Sequence, residues 1–394
     1  MANRTFSISE ANALFKIKYE KLSENVYNSA NVLLGRVKKS YKFTGKQMNI
    51  AVPQSFAGGV GSGTLPTANS AIYGDAQISA KKVYAVVEID RETIKASLSS
   101  EGAFVRATKE VVQKGVESWM RNMSRILFND GTGALGTIAG TPTGTAAAPV
   151  IVISAATFKE ANFEERDIVD IDSSVFEISS VAPATRAITL ARLSGSDDLT
   201  DGASTAVVYM QGSEDNDPEG LKGVLDATTL SKYNINIARR WQAHQKDASA
   251  ALTTDLMNEM VLAVKKKSGK SPNLIMTSYE QFEKLLNLLE DQKRYNVEPR
   301  CKDLKGKVSF SGVQFMGIDG VIGVFPERFC EDDRMYFLND NYIHIYHRPD
   351  FGWFDDDGTV FLRKASSDAY EARYGGYLQV YINPNFHGVM TGLS

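Results

Sequence analysis

The chain has 394 residues, 43% of them hydrophobic and 23% charged, an ordinary globular composition with enough length for two or more compact units. Its 44 basic and 47 acidic residues nearly balance, to a formal charge of −3, so the basic excess of a protein that grips nucleic acid is missing. No apolar run approaches the ~20 residues that cross a bilayer, and the start, Met1-Ala-Asn-Arg-Thr-Phe-Ser, lacks the apolar core of a secretory signal. Two cysteines, Cys301 and Cys330, are too few for a disulfide framework, and two thiols in a reducing cytosol are the expectation. A single bridge between them stays open until their distance is known.

Residues 7–39 carry helical spacing: Ser9 can cap, Leu14, Phe15, Ile17, Leu22 and Val26 follow, and Gly35 offers a stop. Between 41 and 90, Lys46-Gln-Met-Asn-Ile-Ala-Val and Val83-Tyr-Ala-Val-Val-Glu-Ile alternate as strands. The stretch joining them, from Gln54 to Ser70, is rich in glycine and small residues and too long for a hairpin turn. From Gln47 to Ala80 only Asp75 is charged, so this extension suits another protein surface better than water.

Residues 101–129 hold the clearest helix. Val112, Val116, Trp119, Met120, Met123, Ile126 and Leu127 fall on one face and Lys114, Glu117, Arg121 and Arg125 on another. At ~1.5 Å per residue it would be roughly 40 Å long. It stops at Asn129-Asp-Gly-Thr-Gly, where glycine takes the left-handed conformation.

Residues 140–149 are Gly, Thr, Pro and Ala and read as a linker. Five short alternating stretches follow, beginning at Val150, Ile168, Val175, Ala187 and Ala206, which predicts a small inserted β-barrel or sandwich. After the acidic hinge Ser213-Glu-Asp-Asn-Asp-Pro the pattern turns mixed α/β. Helices are predicted from about Ala248 to Lys267 and from Tyr279 to Arg294. Strands are predicted at Asn273–Thr277 and around Val308, Val321, Met335 and Ile343, and an extended tail runs from Thr359 to Val389.

The motifs that could carry chemistry are weak. Gly59-Val-Gly-Ser-Gly is followed by Thr-Leu-Pro rather than Lys and Ser/Thr, so a loop tip is the better reading than a nucleotide loop. Asp355, Asp356 and Asp357, and Glu331-Asp-Asp333, are contiguous rather than alternating, which points to solvated turns more than to calcium ligands. His344 and His347, three apart in a strand, should face opposite ways. No catalytic, cofactor or metal site is assigned.

Read in order, the chain resembles the tailed-bacteriophage major capsid proteins of the Hong Kong 97-type fold. Four stretches carry the likeness: Lys81-Lys-Val-Tyr-Ala-Val-Val-Glu-Ile-Asp-Arg-Glu-Thr-Ile-Lys-Ala-Ser, Arg125-Ile-Leu-Phe-Asn-Asp-Gly-Thr-Gly, Gly220-Leu-Lys-Gly-Val with Ser271-Pro-Asn-Leu-Ile-Met-Thr, and Tyr377 to Met390. The resemblance implies an α+β fold laid out as an N-terminal arm (1–40), an extended loop (41–90), a peripheral domain with a spine helix (91–139), an inserted β domain (140–214), an axial domain (215–350) and closing strands (351–394). It implies no enzyme but a virion protein, assembled in the host cytoplasm, whose pentamers and hexamers close into an icosahedral head around double-stranded DNA. The shell would touch that DNA on its inner face without sequence specificity, and without any membrane. The alternative is an encapsulin-like nanocompartment shell.

The partners implied are further copies of the chain and a portal, with decoration proteins left open. The family's long N-terminal scaffolding segment is missing before the arm, which implies a separate scaffolding protein or growth without one. Interface candidates are Phe56 and Leu65 in the loop and Trp119, Arg121 and Arg125 on the helix. Some relatives weld subunits through a loop lysine. Here no lysine lies between Gln47 and Ala80, so a non-covalent shell is predicted.

Overall fold

The computed structural model describes residues 32–40, 43, 45–55, 72–91, 101–196, 198–201, 205–228, 232–236, 240–291, 313–317, 319–354, 360, 362–364 and 367–394. Most of the expected N-terminal helix, the loop from Phe56 to Leu65, Cys301, the strand near Val308 and Asp355 to Asp357 lie outside these residues.

The chain enters through a short helix, α1 (Val32–Arg36), whose Val32, Leu33 and Leu34 are buried. Strands β1 (Lys38–Ser40), β2 (Gln47–Ser55), β3 (Ile72–Ser79) and β4 (Lys81–Asp90) follow, then the long helix α2 (Glu101–Phe128). β2 and β3 form a two-stranded ribbon of their own. Its inner face buries Val52, Ala76 and Ile78 against the subunit core, and the Gln77 N–H donates to the Tyr233 carbonyl at 2.8 Å. The described base of the extension therefore rests on its own subunit.

α2 is helical for the reason its sequence suggests. Val116, Trp119, Met120, Met123, Ile126 and Leu127 recur every three or four residues and all are buried. This stripe packs on β4, whose alternate residues Val83, Ala85 and Val87 point inward. The approach is close: a Cβ on Gly115 would lie 2.3 Å from Val87 Cγ2.

The next strands are β5 (Ala134–Thr137), β6 (Thr143–Thr145), β7 (Ala148–Val152), β8 (Ile168–Ile171), β9 (Ser174–Ala182), β10 (Ala187–Ser194) and β11 (Val207–Met210). They form one sheet in the order β5-β11-β8-β9-β10-β7-β6. The sheet closes on itself, because Ile138 bridges Ile153 and the Ala139 N–H donates to the Val152 carbonyl at 2.7 Å. Inside this small barrel Ile151, Val169, Phe176, Ile178, Ile188 and Leu190 make a separate apolar core. The composition of 140–149 misleads: these residues are no linker. Thr143 to Thr145 pairs with Ala148 to Val150 in a hairpin of the sheet, with Gly144 at φ +97°. The acidic hinge is likewise held, the Asp215 N–H donating to the Thr132 carbonyl at 2.9 Å. Gly133, at φ +82°, permits this approach, since a Cβ there would fall 2.1 Å from the Ser213 carbonyl oxygen.

The rest is α/β: α3 (Leu221–Leu225), β12 (His244–Ala250), α4 (Thr254–Ser268), β13 (Leu274–Thr277), α5 (Tyr279–Asp291), β14 (Val313–Gly317), β15 (Gly320–Pro326), β16 (Met335–Leu338), β17 (Ile343–Trp353), β18 (Leu362–Arg363), β19 (Ala369–Ile382) and β20 (Gly388–Leu393). Six of these strands form the axial sheet, β12-β20-β16-β13-β15-β14. The peripheral sheet runs β1-β17-β19-β18, with β4 pairing antiparallel to β19. α4 starts at Thr254, six residues later than the spacing predicts. Residues 244–250 pair with β20 instead, and Thr253 caps the helix by accepting from the Leu256 N–H at 3.2 Å. Beneath the axial sheet Met257, Met260, Val261, Ile275, Phe337 and Met390 form a third apolar cluster.

Three histidines test the strand readings. His344 is half-buried and His347 fully buried, three residues apart on β17. His387 is completely enclosed, its Nδ1 accepting from the Asn339 N–H at 3.1 Å. Burial pushes its pKa down to about 3. The folded chain therefore keeps His387 neutral, while the unfolded chain takes up its proton below about pH 6.5. Stability is full above that value and falls by up to about tenfold per pH unit as pH drops toward about 3. Glu327 works the other way, burial pushing its carboxyl up to about 7. Acid unfolding of the parent and of His387→Asn isolates the histidine: the variant, which keeps an acceptor for Asn339, should be less sensitive to pH between 6 and 4 than the parent. Equal sensitivity would contradict a neutral, enclosed His387.

Candidate assembly surfaces and the charges between units

Of the five interface candidates, Phe56 and Leu65 lie outside the described residues. The three on α2 turn out to be engaged within the subunit. Trp119 is 0% exposed, its indole N–H donating to the Val83 carbonyl at 3.3 Å and its ring meeting Tyr374 edge-on at 5.4 Å. Arg125 is buried too, its Nη1 2.8 Å from Asp217 Oδ2, with side chains only 4% and 7% exposed. Arg121 grips Asp167 with both Nη atoms, at 3.3 and 2.5 Å, and lies 2.9 Å from Glu164 Oε2. A surface role for Trp119 and Arg125 is thereby corrected, since neither reaches the surface. The physical reasons differ: Trp119 lies on the apolar stripe that β4 and β19 cover, whereas Asp217, folding back from the end of the barrel, meets Arg125 on a face that sequence spacing leaves looking solvated.

A second charge cluster departs from expectation at one residue. Glu331 to Asp333 was expected to be a solvated turn; Asp332 and Asp333 are exposed, but Glu331 turns inward and is largely covered. Its Oε1 is 2.7 Å from Lys222 Nζ and 3.6 Å from Lys159 Nζ, and its Oε2 meets Arg334 Nε. Arg334 in turn pairs with Asp226. Burial opposes the Glu331 charge, but Lys159, Lys222 and Arg334 outweigh it and hold the carboxyl below its usual range. Burial lowers the pKa of Lys159 against the pull of Glu331. Asp226 is raised by burial despite Arg334. Beside them Cys330 is enclosed and its thiol is pushed up by burial, which makes it inert rather than reactive.

The surfaces available for other chains lie elsewhere. On the outer face of the peripheral sheet, Tyr84 and Val86 stand out from β4 at 40% and 60% exposure, next to Tyr377 of β19. Phe354 meets Tyr84 edge-on at 5.6 Å, so the patch is aromatic as well as apolar. At one edge of the axial sheet the β14–β15 hairpin exposes Met316 and Val321, which pair opposite each other. The alternation in Val83-Tyr-Ala-Val-Val was the sequence signal for the first patch, because it sends Tyr84 and Val86 opposite to the core-facing residues. Nothing in the spacing marked the second.

The buried Arg125–Asp217 pair gives a direct test of this placement. Arg125→Leu should destabilise the subunit by about 3–5 kcal/mol, because Asp217 is left charged and buried. Arg125→Leu with Asp217→Leu should recover a large part of that loss. Denaturant unfolding of unassembled subunits checks both. A single variant as stable as the parent would mean that the pair is open to solvent.

A sequence search of curated proteins finds no match. The family model for the SU10 major capsid protein matches residues 199–393, which covers the axial sheet and the closing strands. Among solved structures, the cyanophage A-1(L) capsid asymmetric unit is similar over 95% of this chain and 93% of that one, at 13% identity and a TM-score of 0.50. The capsid of a native GTA particle is similar over 92% and 90%, at 8% identity and a TM-score of 0.46. An encapsulin complex from Synechococcus elongatus is similar over 93% and 89%, at 8% identity and a TM-score of 0.44. The α+β arrangement of spine helix, peripheral sheet and axial sheet is the Hong Kong 97-type fold. Residues 199–393 thus match the SU10 major capsid protein family, and the chain as a whole carries the Hong Kong 97-type capsid fold.

Proposed function

We propose that this capsid shell protein assembles as pentamers and hexamers that close into an icosahedral head around double-stranded DNA. The observation that carries the reading is the capsid family match over the axial half, joined to a capsid fold over nearly the whole chain. A closed symmetric shell reuses the same few subunit surfaces at every contact, so its working residues are spread over interfaces rather than gathered in a catalytic cluster. The exposed Tyr84, Val86 and Tyr377 face and the Met316 and Val321 hairpin are candidates for those surfaces, in place of Trp119 and Arg125. The near-neutral chain suits a container wall that need not hold each phosphate tightly. A portal and a separate scaffolding protein complete the partners of this reading, with assembly in the host cytoplasm.

The shell should be non-covalent. Two of the lysines at the base of the extension have partners in their own subunit: Lys81 Nζ donates to the Asp215 carbonyl at 2.7 Å, and Lys82 stands 5.9 Å over the Tyr377 ring. Expressed protein, with scaffold if required, should sediment as pentamers, hexamers or shells and show icosahedral particles by electron microscopy. A stable monomer at all concentrations would overturn the reading, and particles filled with an enzyme cargo from the native host would favour a nanocompartment. Boiling particles in detergent should release one band near 43.2 kDa. A ladder that survives reduction would instead point to Lys46, Lys81 or Lys82 as a crosslink donor.

A further inference from the structure

The barrel and the rest of the subunit keep separate apolar cores, Val169, Phe176 and Ile178 in one and Trp119, Tyr336 and Tyr374 in the other. The barrel's two connections to the subunit run side by side, tied by the Asp215 N–H to the Thr132 carbonyl at 2.9 Å. Mechanically they are one pivot, and a body held at one pivot can rotate. A second attachment comes from the loop 155–167, between β7 and β8. Lys159 reaches from it into the axial unit, its Nζ 3.1 Å from the Phe329 carbonyl and 3.6 Å from Glu331 Oε1. Glu164 stands between two arginines, 2.9 Å from Arg121 on α2 and 3.3 Å from Arg328 of the axial unit. Asp167 completes the hold on Arg121 and also accepts from the Glu164 N–H at 3.2 Å, which stiffens the loop. The loop's apolar contribution to the other core is the single methyl of Ala161.

We propose that loop 155–167 is an electrostatic latch that fixes the barrel in one orientation against the spine helix and the axial unit at once, and that without its charges the barrel stays folded but swings on its connections. Charges suit this task better than an apolar seam would. The two-pronged grip of Arg121 on Asp167 is directional, so it selects one angle, whereas apolar contact tolerates sliding. Partly exposed pairs such as Glu164–Arg328 hold weakly, which makes the latch releasable. Lys159 is the exception: it is buried, and its position is stable only while the Glu331 carboxylate and the Phe329 carbonyl receive it. The device belongs to the single subunit, so it can be tested apart from whether shells form.

The test uses the full chain with Lys159→Met, Glu164→Gln and Asp167→Asn together, read by hydrogen exchange. Exchange should rise at least about tenfold in 155–167 and in 210–220, with β8, β9 and β10 as protected as in the parent. Unchanged exchange in 155–167 and 210–220 would overturn the latch. A parallel rise through β8 to β10 would also overturn it, because the barrel would then be unfolding rather than turning. Should the triple variant not fold, Glu164→Gln alone and the parent protein in about 1 M salt decide, since Glu164 and Arg328 are both half exposed and open to screening. Either condition should raise exchange in 155–167 about threefold or more. No rise under both sinks the proposal.

Discussion

Gly115, Val116, Trp119 and Met123 press one stripe of α2 onto β4 and β19, and this contact ties the spine helix to the peripheral sheet. Gly115 lets the helix come within reach of Val87, and Trp119 then fills the space between Val83 and Tyr374. Further along the same helix Phe128 meets Tyr336 of the axial sheet at 6.0 Å, so one rigid rod serves both sheets. Each such side chain contributes about 1.5–3 kcal/mol when fully buried. A row of them on one helix makes the angle between the two sheets costly to change.

Buried charge is concentrated where the barrel joins the rest of the subunit. Arg125 and Asp217 lock the exit of the barrel to the end of the spine helix. Glu331 collects Lys159 from the barrel, Lys222 from α3 and Arg334 from its own turn. Burying such groups costs several kcal/mol per ion unless each finds its partner, so they add little net stability. They are exacting about geometry instead: a unit that docks at the wrong angle leaves a buried charge unpaired. In a protein whose copies must fit together repeatedly, that intolerance has a use, because a subunit with one domain askew would fail to match its neighbours.

The surfaces left for those neighbours are of a different chemical kind. Tyr84, Val86 and Tyr377 are apolar and aromatic, with Lys82 and Glu88 on the same strand as the first two and Glu88 paired with Lys364. This mixture is typical of surfaces that meet and part from partners: a small apolar centre, rimmed by charges that steer without gluing. At the barrel seam the polarity is reversed, with an apolar core on either side and charges between them.

Periodicity alone placed much of this fold. The 3.6-residue stripe on α2 and the alternation in β4, β9 and β19 are local patterns that burial then obeys, while the capsid reading came from the resemblance of four stretches to a known family. Where local pattern failed, a distant partner had decided the matter. Residues 140–149 have a linker's composition but become a hairpin, because β10 offers an edge for β7 to pair with. Ala248 to Ala250 leave the predicted helix because β20, over a hundred residues later, pairs with the strand on either side of Ala248 and Ser249. Arg121 and Arg125 look like a solvated face until Glu164, Asp167 and Asp217 arrive to neutralise them. Sequence determined which residues would be helical, extended or apolar, since those depend on near neighbours. Tertiary structure alone decided which charges are buried and which apolar residues are left outside, since a charge enters the interior only when a partner from elsewhere in the chain meets it there.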